Sequence, residues 1–337
     1  MPSVGGWRTC GSARRWRPTR VLERKGAVVA YITTKGFRDV PFIQRGNRKF
    51  HYDMSWVKPK PLVKRRHCFE LTERIDAHGR VITPLDEAEV RRVAAAIRAI
   101  PRSRRWRSAC CSPTSIRRTS CAVQEILRRS CRTGACSISY AVLPKWKEYE
   151  RASTTIADAY LKPIVSRQLL AMRGRLNEAG ITAPAVIIKS NGGEMTLEAA
   201  AEAPVQMVLS GPTGGVIASR FVAEQLGIDH LVTIDMGGTS TDVLDGDRQE
   251  GELHHRVRDR VGRADPGADD RHPHRSAPAA ARSPGSTRAA CCRSGPQSAG
   301  AKPGPACYGR GGTEATVTDA QPGARAHQSR LTSSAAA

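Results

Sequence analysis

Apolar and polar positions recur along this chain with two different periods, and the change of period marks its elements. Residues 27–34 are rich in β-branched and aromatic side chains and are closed by Lys35-Gly36 and the polar turn Phe37-Arg38-Asp39, which predicts a strand. Residues 69–75 predict a second strand, with Asp76-Ala77-His78-Gly79 turning the chain into Val81-Ile82. Thr83-Pro84-Leu85-Asp86-Glu87 supplies a cap, an early proline and early acids, and Val90, Val93, Ala94 and Ile97 then recur at helical spacing. A second orderly block covers residues 142–243. There, 149–176 reads as a long helix interrupted near Pro163, 185–188 as a strand, 197–203 and 215–226 as helices, and 231–234 as a buried strand. Strands alternating with helices predict an α/β architecture with a largely parallel or mixed sheet.

The last of these strands runs into Asp235-Met236-Gly237-Gly238-Thr239-Ser240-Thr241-Asp242. Paired glycines let a backbone turn tightly enough for its N–H groups to face an anion. Thr239, Ser240 and Thr241 add hydroxyl donors, and Asp235 and Asp242 are placed to hold a magnesium ion or its waters against phosphates. A β-turn with polar decoration is the plain alternative for two glycines alone; the strand, hydroxyls and flanking carboxylates together favour a phosphate turn. Lys189-Ser190-Asn191-Gly192-Gly193 follows a strand and precedes a helix, and Ser210-Gly211-Pro212-Thr213-Gly214-Gly215 opens a helix. Each alone reads as a plain strand-to-helix turn, but both are placed to offer N–H groups to an anion. Three such turns close together in sequence favour a shared nucleotide cleft, with Gly211, Gly214 and Gly215 as secondary contacts.

Composition suggests a different partner at first sight. The 337 residues hold 54 Lys+Arg against 31 Asp+Glu, a formal charge of +23, which is the balance of a nucleic-acid binder. The excess is uneven, however: arginine crowds into 8–20, 102–132 and 256–293, and only 5% of residues are aromatic, with no regular base-stacking pattern. Ten cysteines include the adjacent pairs Cys110-Cys111 and Cys291-Cys292 but no CxxC knuckle, so no metal framework emerges. His254-His255 and His272-Pro273-His274 lie in Arg/Pro/Ala-rich sequence without an element to hold them as ligands. No apolar signal region opens the chain and no apolar span reaches membrane length, so a cytoplasmic, reducing compartment is expected.

As a set, 32–39 (Ile-Thr-Thr-Lys-Gly-Phe-Arg-Asp), Glu148-Tyr149-Glu150-Arg151, Ser190-Asn191-Gly192-Gly193, 210–215, 235–242 and Gly304-Pro305-Ala306-Cys307-Tyr308-Gly309 resemble the hydantoinase A/5-oxoprolinase family in order and spacing. The resemblance covers 19–100, 123–243 and 295–320. It implies an ATP-dependent amidohydrolase on an actin-like, ribonuclease-H-type fold that works with a B-type subunit. Family substrates are cyclic amides such as N-methylhydantoin or 5-oxoproline, and relatives serve as subunits of acetone or acetophenone carboxylases. The implied chemistry is phosphoryl activation of an amide oxygen by MgATP, which depends on positioning and charge neutralisation. The resemblance places Asp235 on magnesium or its water, and Gly237, Gly238 and Thr239 on the phosphates. Ser240, Thr241 and Asp242 then shape the turn. No hydrolytic base is named: Glu148 and Glu150 read first as a solvated helical face. A sugar kinase or chaperone ATPase would share a Gly-Gly-Thr turn without the 210–215 and 304–309 motifs, and a noncatalytic basic nucleic-acid-binding protein would explain the charge alone.

The departures are equally specific. The resemblance implies an Asp-x-Gly-Gly-Thr-x-x-Asp clamp on a first strand, and residues 1–18 carry none, so half of the phosphate site is expected to be missing. It also implies Ile-Gly-Ala-Gly-Gly-Gly-Ser-Ile-Ala-Trp where residues 276–285 read Ser-Ala-Pro-Ala-Ala-Ala-Arg-Ser-Pro-Gly. In GC-rich codons ATC-GGC-GCC-GGC-GGC-GGC-TCG-ATC-GCC-TGG spells the first, and a shift of one base spells the second. The expectation is that 245–293 is translated out of frame, that 1–18 and 101–122 have the same character, and that 321–337 is a disordered tail. The domain expectation is an N-terminal domain over 19–100 and 123–230, then a hydantoinase A domain over 231–320, with disordered basic segments and impaired activity.

Overall fold

The computed structural model describes residues 10–12, 24, 26–45, 52, 54–55, 57–76, 78–100, 107–111, 117–130, 135–181, 183–236, 241–247 and 304–313. In chain order the strands are β1 (Cys10–Ser12), β2 (Val28–Thr34), β3 (Cys68–Leu71), β4 (Arg74–Ile75), β5 (Val81–Thr83), β6 (Arg107–Cys111), β7 (Ala135–Ile138), β8 (Ala185–Ile188), β9 (Glu194–Thr196), β10 (His230–Met236) and β11 (Thr241–Asp247). The longer helices are α1 (Glu87–Ala99), α2 (Arg117–Ser130), α3 (Glu148–Glu178), α4 (Leu197–Glu202) and α5 (Ser210–Leu226). Two compact units divide the chain: Met1–Gly214 with Glu252–Gly267, and Gly215–Gly251 with Ala268–Ala337. The predicted α/β class is present.

The first unit is organised by a four-stranded sheet in the order β3-β2-β6-β7, every pair parallel. Strand β2 is buried on both faces, as parallel strands covered by helices are. Val29 and Tyr31 join Ala152, Ile156, Ala159 and Leu169 of α3 in one cluster. Ala30 and Ile32 join Leu71, four residues of α1 (Val90, Val93, Ala94, Ile97) and Val123 and Leu127 of α2 in another. The chain leaves β2 for β3 on one side and later enters β6 on the other, so the strand order reverses beside β2. In sheets of this kind ligands bind outside the carboxyl ends of the strands at such a reversal. A second sheet pairs β1 parallel to β8 and β8 antiparallel to β9. Its first strand comes from the 1–18 segment, which carries none of the resemblance.

Several elements differ from expectation for identifiable reasons. The predicted strand over 69–75 is split into β3 and β4, because the start of α1 grips the chain at Thr72. There the Thr72 N–H donates to Glu89 Oε2 at 2.6 Å and the Asp86 N–H to the Thr72 carbonyl at 3.4 Å. Helix α1 starts at Glu87, beyond Pro84, and Asp86, expected among its early acids, is the cap instead, its side chain accepting from the N–H groups of Ala88 and Glu89. Helix α3 is not interrupted: its 31 residues run through Pro163. An interior proline costs about 3 kcal/mol, and burying Ile156, Leu161, Val165 and Leu169 at ~1.5–3 kcal/mol each outweighs it. Residues 101–122, expected to lack structure, supply β6 between β2 and β7 and the start of α2. Two ordered parallel neighbours offer backbone partners on both sides, whatever the local propensity. The segments 245–293 and 321–337, expected to be out of frame and disordered, lie outside the described residues, apart from the end of β11.

Tight packing fixes one glycine of the first unit. A Cβ on Gly26 would lie 2.0 Å from Cε1 of the buried Tyr160, while the next residue, Ala27, donates its N–H to the Tyr160 carbonyl at 3.0 Å.

Candidate functional site

The phosphate-turn sequence sits in the second unit as a hairpin. Strands β10 and β11 are antiparallel, and their register pairs Asp235 with Asp242 and Met236 with Thr241. The two carboxylate positions are therefore held opposite each other across the ladder. Gly237, Gly238, Thr239 and Ser240, which close the hairpin, lie outside the described residues, as do the side chains of Asp235, Thr241 and Asp242. By residue chemistry the set fits a magnesium nucleotide: Asp235 and Asp242, on paired strands, bracket the sequence Gly-Gly-Thr-Ser-Thr. Also in this unit, Ala306–Tyr308 forms a single 3-10 turn ended by Gly309 at φ 64. Gly312 passes so close to the Gly304 carbonyl that a Cβ would sit 2.1 Å from its oxygen.

In the first unit, the other two glycine turns form one interlocked structure, although not as the sequence suggested. Residues 189–193 make a β-hairpin turn between β8 and β9 rather than a strand-to-helix turn, with Gly192 at φ 88 and the Lys189 N–H donating to the Gly193 carbonyl at 2.6 Å. Helix α5 begins at Ser210, not Gly215, so Gly211 and Gly214 occupy its first turns. The Ser190 hydroxyl accepts the Leu209 N–H at 3.0 Å, just ahead of the helix. Thr213 in turn donates its hydroxyl to the Ser190 carbonyl at 3.1 Å and to the Leu209 carbonyl at 2.8 Å. Ser190, Ser210 and Thr213 are all buried. The hydroxyls therefore lock the turn to the helix. A Cβ on Gly215 would meet nothing within 4 Å, so packing does not demand glycine there.

The first unit also carries a layer of buried polar groups that sequence reasoning missed. Thr34 and Glu73 lie at the end of β2 and just after β3, Ser137 at the end of β7 and Ser139 just after it, and Thr154, Asp158 and Lys162 on α3. Asp158 of α3, fully buried, accepts from the Ser137 hydroxyl at 2.6 Å and from the Val205 N–H at 3.1 Å. Burial pushes its carboxyl up to about 6 against the lowering effect of those donors and of Lys162. Lys162 reaches the Cys136 carbonyl at 3.3 Å and Glu202 of α4 at 3.0 Å. One turn toward the start of α3, Thr154 is buried with its hydroxyl unpartnered, as is that of Ser139 after β7. Glu73 is 4% exposed: one carboxylate oxygen accepts from Thr34 and the other has no partner. Only Thr33-Thr34 and Arg151 belonged to recognisable motifs. Glu73 and Asp158 gave no signal, since an acid among apolar positions looks the same in sequence whether it points inward or outward.

Of the two candidate acids at the start of α3, Glu150 is engaged in an ion pair with Arg45. Burial tends to raise the Glu150 carboxyl, but the hydrogen bond and charge of Arg45, whose Nε donates at 2.7 Å, hold it below its usual range. Glu148 is exposed, as expected of a solvated helical face. Burial pushes the Cys68 thiol up to about 12, leaving it an inert core group. Among the described residues no group of three His, Cys, Asp or Glu side chains could hold a metal, and no helix is long and apolar enough to cross a membrane.

The fold thus defines an α/β protein with an antiparallel pair of strands that sets Asp235 opposite Asp242 in register, and comparison with known proteins makes the assignment specific. The hydantoinase/oxoprolinase family profile matches residues 151–322, and that of the hydantoinase/oxoprolinase N-terminal region matches residues 19–102. The chain belongs to the hydantoinase/oxoprolinase family. It is 36% identical over 315 residues to an uncharacterised protein of Methanocaldococcus jannaschii, covering 87% of this chain and 44% of that one. It is 31% identical over 314 residues to the caprolactamase subunit alpha of Pseudomonas jessenii, covering 89% of this chain and 43% of the relative. The crystal structure of the ATP-dependent caprolactamase from Pseudomonas jessenii superposes with a TM-score of 0.66 at 26% identity, over 96% of this chain and 46% of that one. The chain spans less than half the length of these relatives.

Proposed function

We propose that this chain carries the nucleotide-binding framework of an ATP-dependent hydrolase of cyclic amides of the N-methylhydantoin or 5-oxoproline type. The observation that carries this reading is the Gly-Gly-Thr-Ser sequence at 237–240, set between strands that hold Asp235 opposite Asp242 and lying inside the family match. Asp235 would hold magnesium, directly or through water, and the backbone of Gly237, Gly238 and Thr239 would face the phosphates. Ser240, Thr241 and Asp242 would shape the turn. When bound, MgATP supplies the phosphoryl group that activates the amide oxygen. A B-type subunit is the proposed partner, supported by the naming of the caprolactamase relative as a subunit.

The same reading holds that 245–293 is out of frame, on the codon correspondence at 276–285, and that this chain is impaired. Hydrogen exchange of β10 and β11 with and without MgATP tests both statements. Weak protection is expected in the chain as it stands and strong protection once 245–293 is resynthesised in the shifted frame. Absence of protection in the restored chain would sink the nucleotide reading, and robust MgATP-dependent ring opening by the present chain would sink the claim of impairment. A salt-dependent shift of DNA without nucleotide protection would favour a basic binding protein instead.

A further inference from the structure

Helix α5 carries apolar side chains on more sides than are covered. From Gly215 onward it belongs to the second unit, and there a narrow stripe, Val216 and Ala223, is buried. Its other large apolar side chains face outward: Ile217 is 43%, Phe221 62%, Val222 54% and Leu226 68% exposed. Ile217 and Phe221 are four residues apart, as are Ala218, Val222 and Leu226, and Ala218 precedes Phe221 by three, so helical geometry joins them into one face that only Gln225 interrupts. A surface helix ordinarily turns polar residues to water. Here Ser219 donates its hydroxyl to the Gly215 carbonyl at 2.9 Å and Arg220 pairs with Glu224 at 2.8 Å, so these polar groups are satisfied along the helix itself. The face is not a frayed end. Gly227, at φ 67, closes the helix, and the Ile228 N–H donates to the Ala223 carbonyl at 2.9 Å.

The strands that follow do not complete a layer. Among the described residues β10 and β11 pair only with each other, and a two-stranded sheet is marginal in water unless something packs on it. A contiguous bare apolar face marks a surface meant for another layer. A second copy of the chain is a poor occupant, since each copy carries a formal charge of +23. The segment after β11 is the nearest source of cover, because it is tethered at Asp247 and its docking would be intramolecular. As it stands, 248–293 offers only Leu253, Val257 and Val261 as large apolar side chains, in arginine-rich sequence. One base over, the codons at 276–285 place isoleucine at 276 and 283 and tryptophan at 285, and by the same shift CTG-CTG gives the Cys291-Cys292 pair. The shifted reading therefore supplies isoleucine, tryptophan and leucine side chains that the present one lacks.

We propose that the outward face of α5 around Phe221 is the docking surface for the segment after β11 as it reads in the shifted frame, and that the present chain leaves this surface bare. The identity of the occupant rests on the out-of-frame reading of 245–293 above; the exposure of the face does not. Helix α5 leads through Gly227, Ile228 and Asp229 directly into β10, which carries Asp235, so covering the helix steadies the strand that presents the nucleotide turn.

The test is hydrogen exchange over 217–226 in the full chain as it stands and in the chain with 245–293 resynthesised in the shifted frame, each with and without Phe221→Asp. In the restored chain exchange there should slow about tenfold or more, the size of burying one large apolar side chain, and Phe221→Asp should undo the slowing. In the present chain Phe221→Asp should change neither exchange nor the thermal midpoint, because the ring is exposed; a loss there would overturn the bare face. A restored chain that exchanges at 217–226 as fast as the present one, folded or not, overturns the proposal, and so does one indifferent to Phe221→Asp. The measurement is repeated at low and high protein concentration: protection of 217–226 that grows with concentration gives the face to a second copy and also overturns it. MgATP is added in parallel to separate the two readings. Protection of β10 and β11 by MgATP without slowing at 217–226 overturns the docking surface and spares the nucleotide reading, whereas slowing without MgATP protection does the reverse.

Discussion

Asp158 sets a pH dependence that can be worked out from its surroundings. Its carboxylate is buried between α3 and β7, held by the Ser137 hydroxyl and the Val205 N–H, with Lys162 attracting and Glu202 of α4 repelling its charge. Burial outweighs the donors, and the group titrates at about 6 in the folded chain, against about 4 for an unstructured aspartate. The unfolded chain therefore releases this proton first. Between about pH 4 and pH 6 the folded state binds more protons, so stability falls as pH rises across that window and stays lower above it. A shift of about 2 units corresponds to ~3 kcal/mol. Asp158→Asn keeps an oxygen for the Val205 N–H and can donate to the Ser137 oxygen, while removing the charge. Urea titrations followed by far-UV circular dichroism at about pH 4.5 and about pH 8 should show the parent losing up to ~3 kcal/mol relative to the Asn variant. Asp158→Ala should instead lose ~1–3 kcal/mol for each group it leaves unpaired, at both pH values. A parent-minus-Asn difference that is flat with pH would refute the reasoning.

Two further substitutions probe other joints of the first unit. Gly26→Ala drives a methyl into the Tyr160 ring and should destabilise by ~1–3 kcal/mol, read as a lowered urea midpoint with an unchanged slope; a neutral result would mean that Tyr160 is not packed there. Ser190→Ala removes the acceptor for the Leu209 N–H ahead of α5 and should cost about 1 kcal/mol, with faster hydrogen exchange confined to 206–213; unchanged exchange would dissociate the glycine turn from the helix.

How much of this was legible depends on whether a residue's role is local. The strand over 28–34 and the periodic face of α1 were readable because each is specified by neighbours within a few positions. The continuity of α3 through Pro163 was not, because it rests on packing against β2 and the β8–β9 hairpin, far away in sequence. The split at Thr72 was hidden for the same reason: its cause is Glu89, 17 residues on. The register between Asp235 and Asp242 matches the spacing of the motif, whereas the buried Thr34–Glu73 hydrogen bond joins residues 39 apart and leaves no trace in the local sequence.

The sharpest case is β6, where local sequence and observed structure disagree. Arg107-Ser108-Ala109-Cys110-Cys111 has none of the β-branched or aromatic character of a central parallel strand, yet Ala109 is paired with Ala30 on one side and Cys136 on the other. Backbone pairing to two neighbours must then carry what side chains do not specify. Proline is excluded from such a position because it removes a ladder donor and cannot be moved to an edge. Ala109→Pro should therefore release β6 and expose the inner edges of β2 and β7 together. Hydrogen exchange would show this as coordinated loss of protection over 28–32 and 135–138, with β3 remaining paired to β2. If β2 and β7 stay as protected in the variant as in the parent, 107–111 is not held in the sheet in solution, and the prediction from the residues, that this segment contributes no element, is the correct one.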